Sequence, residues 1–205
     1  MNHALGSRLI GICLVLLAGG CANVGEKFDA TKARSLDLGS MHDTDFRAAF
    51  GDPRTDIKQS SDSGSFEEVT YLYAHADLSN AQARQLSLEF RDGVLNAFNY
   101  LSSFDEDKTT ADTQKMESVK KGVSTKTDVL AILGAPSGKV KCPTQMTDFV
   151  KYAKPGVAEM WCWAAFGSVS TFGDHSTNST VIVVSFNPSG VATDVITQQQ
   201  NSAGQ

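Results

Sequence analysis

The side chains that could carry out metal or acid–base chemistry are few and widely spaced in this sequence. A metal site would have to come from Asp174, His175 and His75. None of the paired spacings, such as HxxH, that place two ligands on one helix face is present. His42 is placed at a predicted helix start. Solvated loop residues are the simpler interpretation, and we expect neither a metal nor a cofactor.

Nucleophilic and general acid–base catalysis have no better basis in the sequence. The serines of GSVSTFG (167–173) lie between glycines, but the G-x-S-x-G of a nucleophile elbow is absent. Glu67 and Glu68 are neighbours on a predicted strand, so their side chains point to opposite faces and do not form a catalytic pair. The sequence therefore predicts a protein that is not an enzyme and has no evident small-molecule substrate.

The N-terminus has the features of an export signal. Arg8 precedes an apolar run of about ten residues, which is too short to span a bilayer and is typical of a secretory leader. The run ends in LLAGG, directly before Cys21, which resembles the lipobox of bacterial lipoproteins. An ordinary signal with a chance cysteine is the alternative.

That resemblance implies a signal peptide over residues 1–20 and lipid attachment at Cys21. Because alanine follows the cysteine, it also implies delivery to the outer membrane, with the folded part facing the periplasm. Residues 21–27 would form a short lipidated tether. Several acyl chains are enough for a stable anchor.

Two cysteines, Cys142 and Cys162, remain once Cys13 has left with the leader and Cys21 carries lipid. An even number of thiols in an oxidising compartment predicts one disulfide. A metal or redox pair is the alternative, but the sequence has no CxxC and no histidine close to either cysteine. We therefore expect Cys142 and Cys162 to be joined.

The formal net charge of −5 and the distribution of basic residues exclude one class of partner. The sequence has no basic patch with interleaved aromatic residues, so nucleic acid is not expected as a partner. It has no polybasic stretch either, so membrane contact is expected only through the lipid.

The chain contains an internal repeat. GSMHDTDFRAAFGDP (39–53) aligns without gaps with GVSTKTDVLAILGAP (122–136), 83 residues later. Further on, EEVTYLYAH corresponds to AEMWCWAAF. The repeat predicts two copies, 28–104 and 109–197, separated by a charged linker at 105–108 and followed by a frayed polar tail at 198–205.

Each copy is predicted to be a helix pair followed by a three- to four-stranded antiparallel sheet, so the fold class is α+β. Residues 125–133 have helical apolar spacing, with Thr125 as N-cap, Asp128 completing a capping box and Gly134 ending the helix. Before each of these helices, a second short helix is expected, over roughly 28–38 and 109–121. In LSLEF, alternation predicts a strand whose apolar residues face inward.

These motifs, G-(M/V)-(S/T)-x-x-(D/Q)-V-x-x-x-L-G-x-P and then an aromatic-x-aromatic strand, are similar to the SmpA/OmlA (BamE-like) outer-membrane lipoproteins. In tandem they resemble the β-lactamase inhibitor protein (BLIP-like) superfamily. The resemblance implies a protein-binding or scaffold role in the envelope, such as outer-membrane assembly. Its alternative implication is a tandem inhibitor of a periplasmic or secreted hydrolase. It also implies a disulfide at Cys142 and Cys162.

Aromatic residues are the candidates for partner binding. Trp161 and Trp163 share one strand face, as do Tyr71 and Tyr73 in the first copy. They either pack beneath the helices or lie on an open sheet face, where such residues make good interface anchors. The resemblance implies a binding role for the aromatic sheet surface. Loops that are longer in the second copy add three more candidates: Phe149, Tyr152 and Phe172.

Overall fold

A computed structural model of the chain describes residues 22–61, 64–76, 81–171 and 174–203. The expected signal peptide and Cys21 lie outside this part. The strands are β1 (Ala22–Val24), β2 (Thr55–Ser61), β3 (Gly64–Ala76), β4 (Ala81–Arg91), β5 (Val94–Ser102), β6 (Gly138–Lys141), β7 (Glu159–Thr171), β8 (Asp174–Phe186) and β9 (Ala192–Ala203). The helices are α1 (Ala30–Arg34), α2 (Asp43–Phe50), α3 (Thr113–Met116), α4 (Lys126–Leu133) and α5 (Thr147–Val150).

All nine strands belong to one antiparallel sheet. The order across the sheet is β1, β3, β4, β5, β6, β7, β8, β9, and β2 pairs with β3 on the same edge as β1. Strand β6 has only four residues, and it pairs with β5 through three residue pairs and with β7 through four. This short strand therefore joins the two halves of the sheet.

The predicted fold class, two repeats that each have a helix pair and a separate sheet, is wrong. The structure is mainly one large antiparallel sheet, and its helices have only four to eight residues. The physical reason lies at the junction of the halves. A separate sheet would leave β5 and β7 as open edges with unpaired backbone groups, and β6 satisfies both.

Helix ends follow the local sequence closely. Helix α4 begins with a capping box, in which the Thr125 hydroxyl accepts from the Asp128 amide and the Asp128 carboxylate accepts from the Thr125 amide at 2.8 Å. It ends at Gly134, whose φ of +76° suits glycine. His42 is the N-cap of helix α2, and its backbone amide donates to Asp45. Among the described helices, none is both long enough and apolar enough to cross a bilayer.

The sheet has two different faces, and helices α1 to α4 cover one of them, which we call the helical face. Helices α1 and α2 contribute Ala33, Phe46 and Phe50 to a core over β3, β4 and β5. Helices α3 and α4 contribute to a second core over β7, β8 and β9. In β4 the alternation expected from LSLEF is present, because Leu86, Leu88 and Phe90 are all buried on this face.

The opposite face, which we call the second face, is covered over only part of its width. Residues 142–158, which contain α5, fold back over β5 to β8 and bury Met146, Phe149 and Tyr152 against the sheet. We call this stretch the 142–158 segment. Gln145 and Thr147 of this segment line a cavity with Phe66, Glu68 and Glu89, so the segment also reaches the Glu89 end of β4 and the adjoining part of β3. Away from that edge, no hydrophobic cluster of the described residues places a helix on the second face over β2 and β3.

Three stretches expected to lie outside the folded units belong to the sheet or its core. From the expected tether, residues 22–24 form β1 and pair with the end of β3. From the expected linker, Asp107 is buried and hydrogen-bonded to Tyr100. From the expected polar tail, residues 198–203 continue β9, which pairs with β8 as far as Ala203.

Candidate protein-binding surface

Among the residues that the structure describes, the histidines and acids do not meet in a metal site. The His75 ring nitrogen Nδ1 lies 2.8 Å from Asn23 Oδ1, and His42 stands at the start of α2. The side chain of His175 is not among those described. Within residues 22–61, 64–76, 81–171 and 174–203, no group of three or more potential ligands is positioned to hold a metal ion.

The expected disulfide is not present, and both Cys142 and Cys162 are free thiols. Strand register explains this. The amide of Cys142 donates to the carbonyl of Ala158, so Cys142 lies opposite a residue four positions before Cys162. Four residues of strand span about 13 Å, whereas a disulfide needs Cα atoms about 4.4–6.8 Å apart. Burial raises the pKa of Cys162 to about 12, so this thiol stays protonated at neutral pH.

The aromatic pairs lie on the helical face, which corresponds to the packing alternative. Tyr71, Trp161 and Trp163 are 3%, 7% and 3% exposed. Trp163 donates its indole N–H to the carbonyl of Gly134 at the end of α4. Tyr73 is half-buried, with its ring stacked on Phe104. The smaller residues Cys162 and Ala164 face the other way, where the 142–158 segment covers them.

The aromatic residues of the second-copy loops have different positions. Phe149 and Tyr152 belong to the 142–158 segment. Their side chains are buried between the segment and the sheet and hold the segment in place. Phe172 lies outside the described residues. A role in partner binding for the seven aromatic candidates stays a prediction, and the placement of those described shows that they mainly form the core.

The uncovered part of the second face is the feature best suited to contact a partner, and we call it the open face. In β3, Glu67, Val69 and Tyr71 on the helical face are buried, whereas Phe66, Glu68, Thr70 and Leu72 on the second face are only half-buried. Ile57 on β2 is the most exposed apolar side chain of this region, at 54%. Six side chains define the open face: Ile57, Phe66, Glu68, Thr70, Leu72 and Gln85.

Negative charge collects where the open face meets the 142–158 segment. Burial raises the pKa of Glu68, and the nearby charges of Asp148 and Glu89 raise it further. Glu89 is only 1% exposed. Its carboxylate accepts hydrogen bonds from the Thr144 hydroxyl at 2.9 Å and from the Gln145 amide at 2.7 Å. Glu89 therefore fixes the segment to the sheet and adds charge beside the open face.

Asp148 also borders a cleft of about 200 Å³ between the 142–158 segment and the sheet. The floor of the cleft is formed by small or aliphatic side chains, including Cys162, Ala164 and Val181. Asn99, which is 6% exposed, donates from Nδ2 to Asp148 Oδ2 at 2.8 Å and holds that carboxylate at the rim. On the far side, the Tyr152 hydroxyl donates to Gln198 at 2.5 Å.

Sequence reasoning did not identify the open face or the cleft. The alternation in β3 offers little signal, because Phe66, Glu68, Thr70 and Leu72 are no more polar than Glu67, Val69 and Tyr71 between them. The contribution of Asp148 could not be found in this way, because it depends on a loop that returns to strands 50 residues earlier in the chain.

A scan against protein-family models finds no match to this chain, and a comparison with curated proteins finds none either. Among solved structures, the chain is similar to a Streptococcus mutans protein provisionally named a β-lactamase inhibitor protein. The sequence identity is 8% and the TM-score 0.43, and the match covers 82% of this chain and 93% of that one. The SmpA/OmlA part of the sequence resemblance finds no support in these comparisons.

Proposed function

We propose that this chain is a non-catalytic protein-binding module of the bacterial envelope, and that the open face is its contact surface. The observation that carries this proposal is the combination of exposed Ile57 with half-buried apolar residues on a part of the sheet where, among the described residues, no helix packs into a core on that face. Uncovered apolar surface with a polar surround is typical of protein contact sites.

The charge beside the open face selects the kind of partner. Glu68, Glu89 and Asp148 give this region negative charge, while Arg91, a basic side chain on the same face, lies over the ring of Phe66. Opposite charges across an interface favour one partner and reject others. The proposed partner therefore presents a basic surface with apolar residues at its centre.

The location of the module comes from the sequence. A lipid on Cys21, directly before β1, would hold the protein on the outer membrane, where the partner is an envelope protein and the module acts as a scaffold or assembly accessory. An alternative is an inhibitor of a periplasmic or secreted hydrolase. The anchoring of the 142–158 segment by Glu89 favours this alternative, because a rigid surface loses less entropy when it binds.

Site-specific photo-crosslinking tests the contact surface. A photoreactive residue at position 57 should give one discrete crosslinked product in envelope preparations. The matched position is Val123, which is 71% exposed and lies just before α4 on the other side of the sheet, and it should give none. Glu68→Lys should abolish the product at position 57, whereas Glu117→Lys, an exposed acid on the helical side, should not.

Equal crosslinking from positions 57 and 123, or a product at position 57 that survives Glu68→Lys, would contradict the proposal. The identity of the crosslinked protein separates the two finer versions. A component of outer-membrane assembly favours the scaffold, and a hydrolase that loses activity when the purified chain is added favours the inhibitor.

A further inference from the structure

The cleft beside the open face has the size and lining of a pocket for one side chain. Its volume is about 200 Å³, and apolar cavities of about 150 Å³ are large enough to bind benzene. The floor is uncharged, because burial keeps the Cys162 thiol protonated while it donates to Asn99 Oδ1 at 3.5 Å. Small side chains at positions 162 and 164 leave this space open, since the large Trp161 and Trp163 point to the helical face.

The polar groups at the mouth of the cleft differ between its two lips. On the lip next to the open face stands Asp148, which receives a hydrogen bond from Asn99 and forms no ion pair in the part of the chain that the structure describes. On the far lip, Lys151 donates to Gln198 at 3.1 Å and lies 4.9 Å from the centre of the Tyr152 ring. The charged group of Lys151 is thus already engaged by Gln198 and Tyr152.

Glu68 and Glu89 add negative charge near the lip that carries Asp148. The charges of Asp148 and Glu89 both act on Glu68 and raise its pKa, so both carboxylates lie near Glu68. The basic side chain of Lys151 lies at the opposite lip of the cleft. A side chain that lies along the cleft would therefore meet an uncharged floor and, at the lip next to the open face, the carboxylate of Asp148.

We propose that this cleft is the specificity pocket of the binding surface and receives one arginine or lysine side chain of the bound protein. The aliphatic stem lies on Cys162, Ala164 and Val181, and the charged head pairs with Asp148 at the rim. Long basic side chains suit such a site, because their stems cover apolar surface while their heads stay at the polar edge. This inference depends on the proposed function, since the side chain belongs to the partner.

The pocket can be tested without the partner by using a single basic residue as probe. Nα-acetyl-arginine amide is titrated into the full ¹⁵N-labelled chain and followed by two-dimensional NMR. Saturable shifts are expected at the amides of Ala164 and Val181 and at the side-chain amide of Asn99. Nα-acetyl-citrulline amide, which has nearly the same shape and no charge, should bind more weakly by about two- to fivefold.

Two variants separate charge from space. Asp148→Asn should reduce the affinity for the arginine probe to that for citrulline, whereas Glu117→Gln should leave it unchanged. Ala164→Leu should fill the floor and abolish the shifts of both probes. Shifts spread over the surface without saturation, equal binding of the two probes, or binding that survives Asp148→Asn would overturn the inference.

Failure of the pocket and failure of the proposed function give different results. If crosslinking at position 57 depends on Glu68 but Asp148→Asn leaves probe binding intact, the open face remains the contact surface and only the pocket is refuted. If the probe binds as expected but positions 57 and 123 crosslink equally, the pocket exists and the proposed function fails.

Discussion

Arg84 and Asp107 form an ion pair that is almost completely removed from water. Their side chains are 4% and 7% exposed, and Nη2 of Arg84 lies 3.1 Å from Oδ2 of Asp107. Tyr100 and Ser102 also donate to this carboxylate. Burial and the hydrogen bond to Asp107 raise the pKa of Tyr100, so its hydroxyl remains a donor. The stretch 105–108, which was predicted to be a charged linker, is therefore attached to the core by the buried carboxylate of Asp107.

Removal of one member of this pair should be severely destabilising. We expect Asp107→Asn to lower the free energy of unfolding by about 3–5 kcal/mol, because the Arg84 guanidinium would stay buried and lose its only buried counter-charge among the described residues. Glu106→Gln is the matched control. Glu106 contacts the same guanidinium at 3.0 Å but is 63% exposed, so a loss of about 1 kcal/mol or less is expected. Urea unfolding of both variants measures this, and equal losses would contradict it.

Asp194, on the edge strand β9, contributes to the stability of the folded protein in a way that depends on pH. Hydrogen bonds from Lys121 and Lys154 lower the pKa of Asp194 to about 2, below the usual value of about 3.9. Because the folded-state pKa is the lower one, these contacts stabilise the protein above about pH 4 and stop doing so as the pH falls towards 2.

The expected cost of Asp194→Asn is about 1 kcal/mol at pH 6, since both lysines are more than half exposed. This difference in unfolding free energy from the wild type should shrink steadily between pH 4 and pH 2. Asp37→Asn, which changes an exposed acid with no ion pair among the described side chains, should show no such trend. A difference that stays constant down to pH 2 would rule out the coupling.

Among the elements, helix α4 shows how much local sequence decides. The Thr125 cap, the reciprocal bond from Asp128 and the end at Gly134 were all predicted, and all three are confirmed. Hydrogen bonds with Thr125 also lower the pKa of Asp128, as expected for a carboxylate in a capping box. The earlier helices were predicted too long. Helix α1 covers five residues and α3 four, and each is preceded by an N-cap aspartate whose side chain accepts hydrogen bonds from backbone amides.

The cap of α4 can be tested directly. Thr125→Ala should lower the unfolding free energy by about 1 kcal/mol, because the Asp128 amide loses its acceptor. Thr127→Ala, two residues later on the exposed side of the same helix, should change it by less than about 0.5 kcal/mol. If thermal and urea unfolding show the two variants to be equal, the capping hydroxyl has no energetic role.

Strands were harder to interpret than helices, and β7 shows why. Alternation correctly placed Trp161 and Trp163 on one face and Met160 and Cys162 on the other. Both series are apolar, so the pattern does not tell which face the helices cover. The structure buries both, one beneath α3 and α4 and the other beneath the 142–158 segment. The choice depends on tertiary contacts that strand periodicity does not contain.

At the scale of the whole molecule, the sequence repeat predicted the order of elements better than their assembly. Nothing in residues 138–141 indicates that this strand pairs on both sides, because lateral pairing depends on residues far away in the chain. The disulfide prediction failed for a related reason. Cysteine number indicates a bond, but strand register sets the distance between Cys142 and Cys162.

The position of β1 gives the lipid proposal a geometric consequence. Ala22 pairs with Ala76 of β3, so a lipid on Cys21 would lie directly beside the sheet, without a flexible spacer. Cys21→Ser should convert the protein to a soluble form or an uncleaved precursor, while the unfolding transition of the folded part stays the same. Cys142→Ser is the matched control and should remain in the membrane fraction. Unchanged outer-membrane fractionation of Cys21→Ser would end the lipoprotein proposal.

A single glycine on β6 links the architecture to the binding surface. A Cβ atom at Gly138 would lie 2.7 Å from the carbonyl oxygen of Phe98 and 2.9 Å from Cys162 Sγ, closer than such contacts allow. Cys162 lies on the floor of the cleft, and Asn99, paired with Gly138, holds its rim. One added methyl group would therefore press on the seam of the sheet and on the pocket together. The strand β6, which joins the two halves of the sheet, therefore also determines the shape of the pocket.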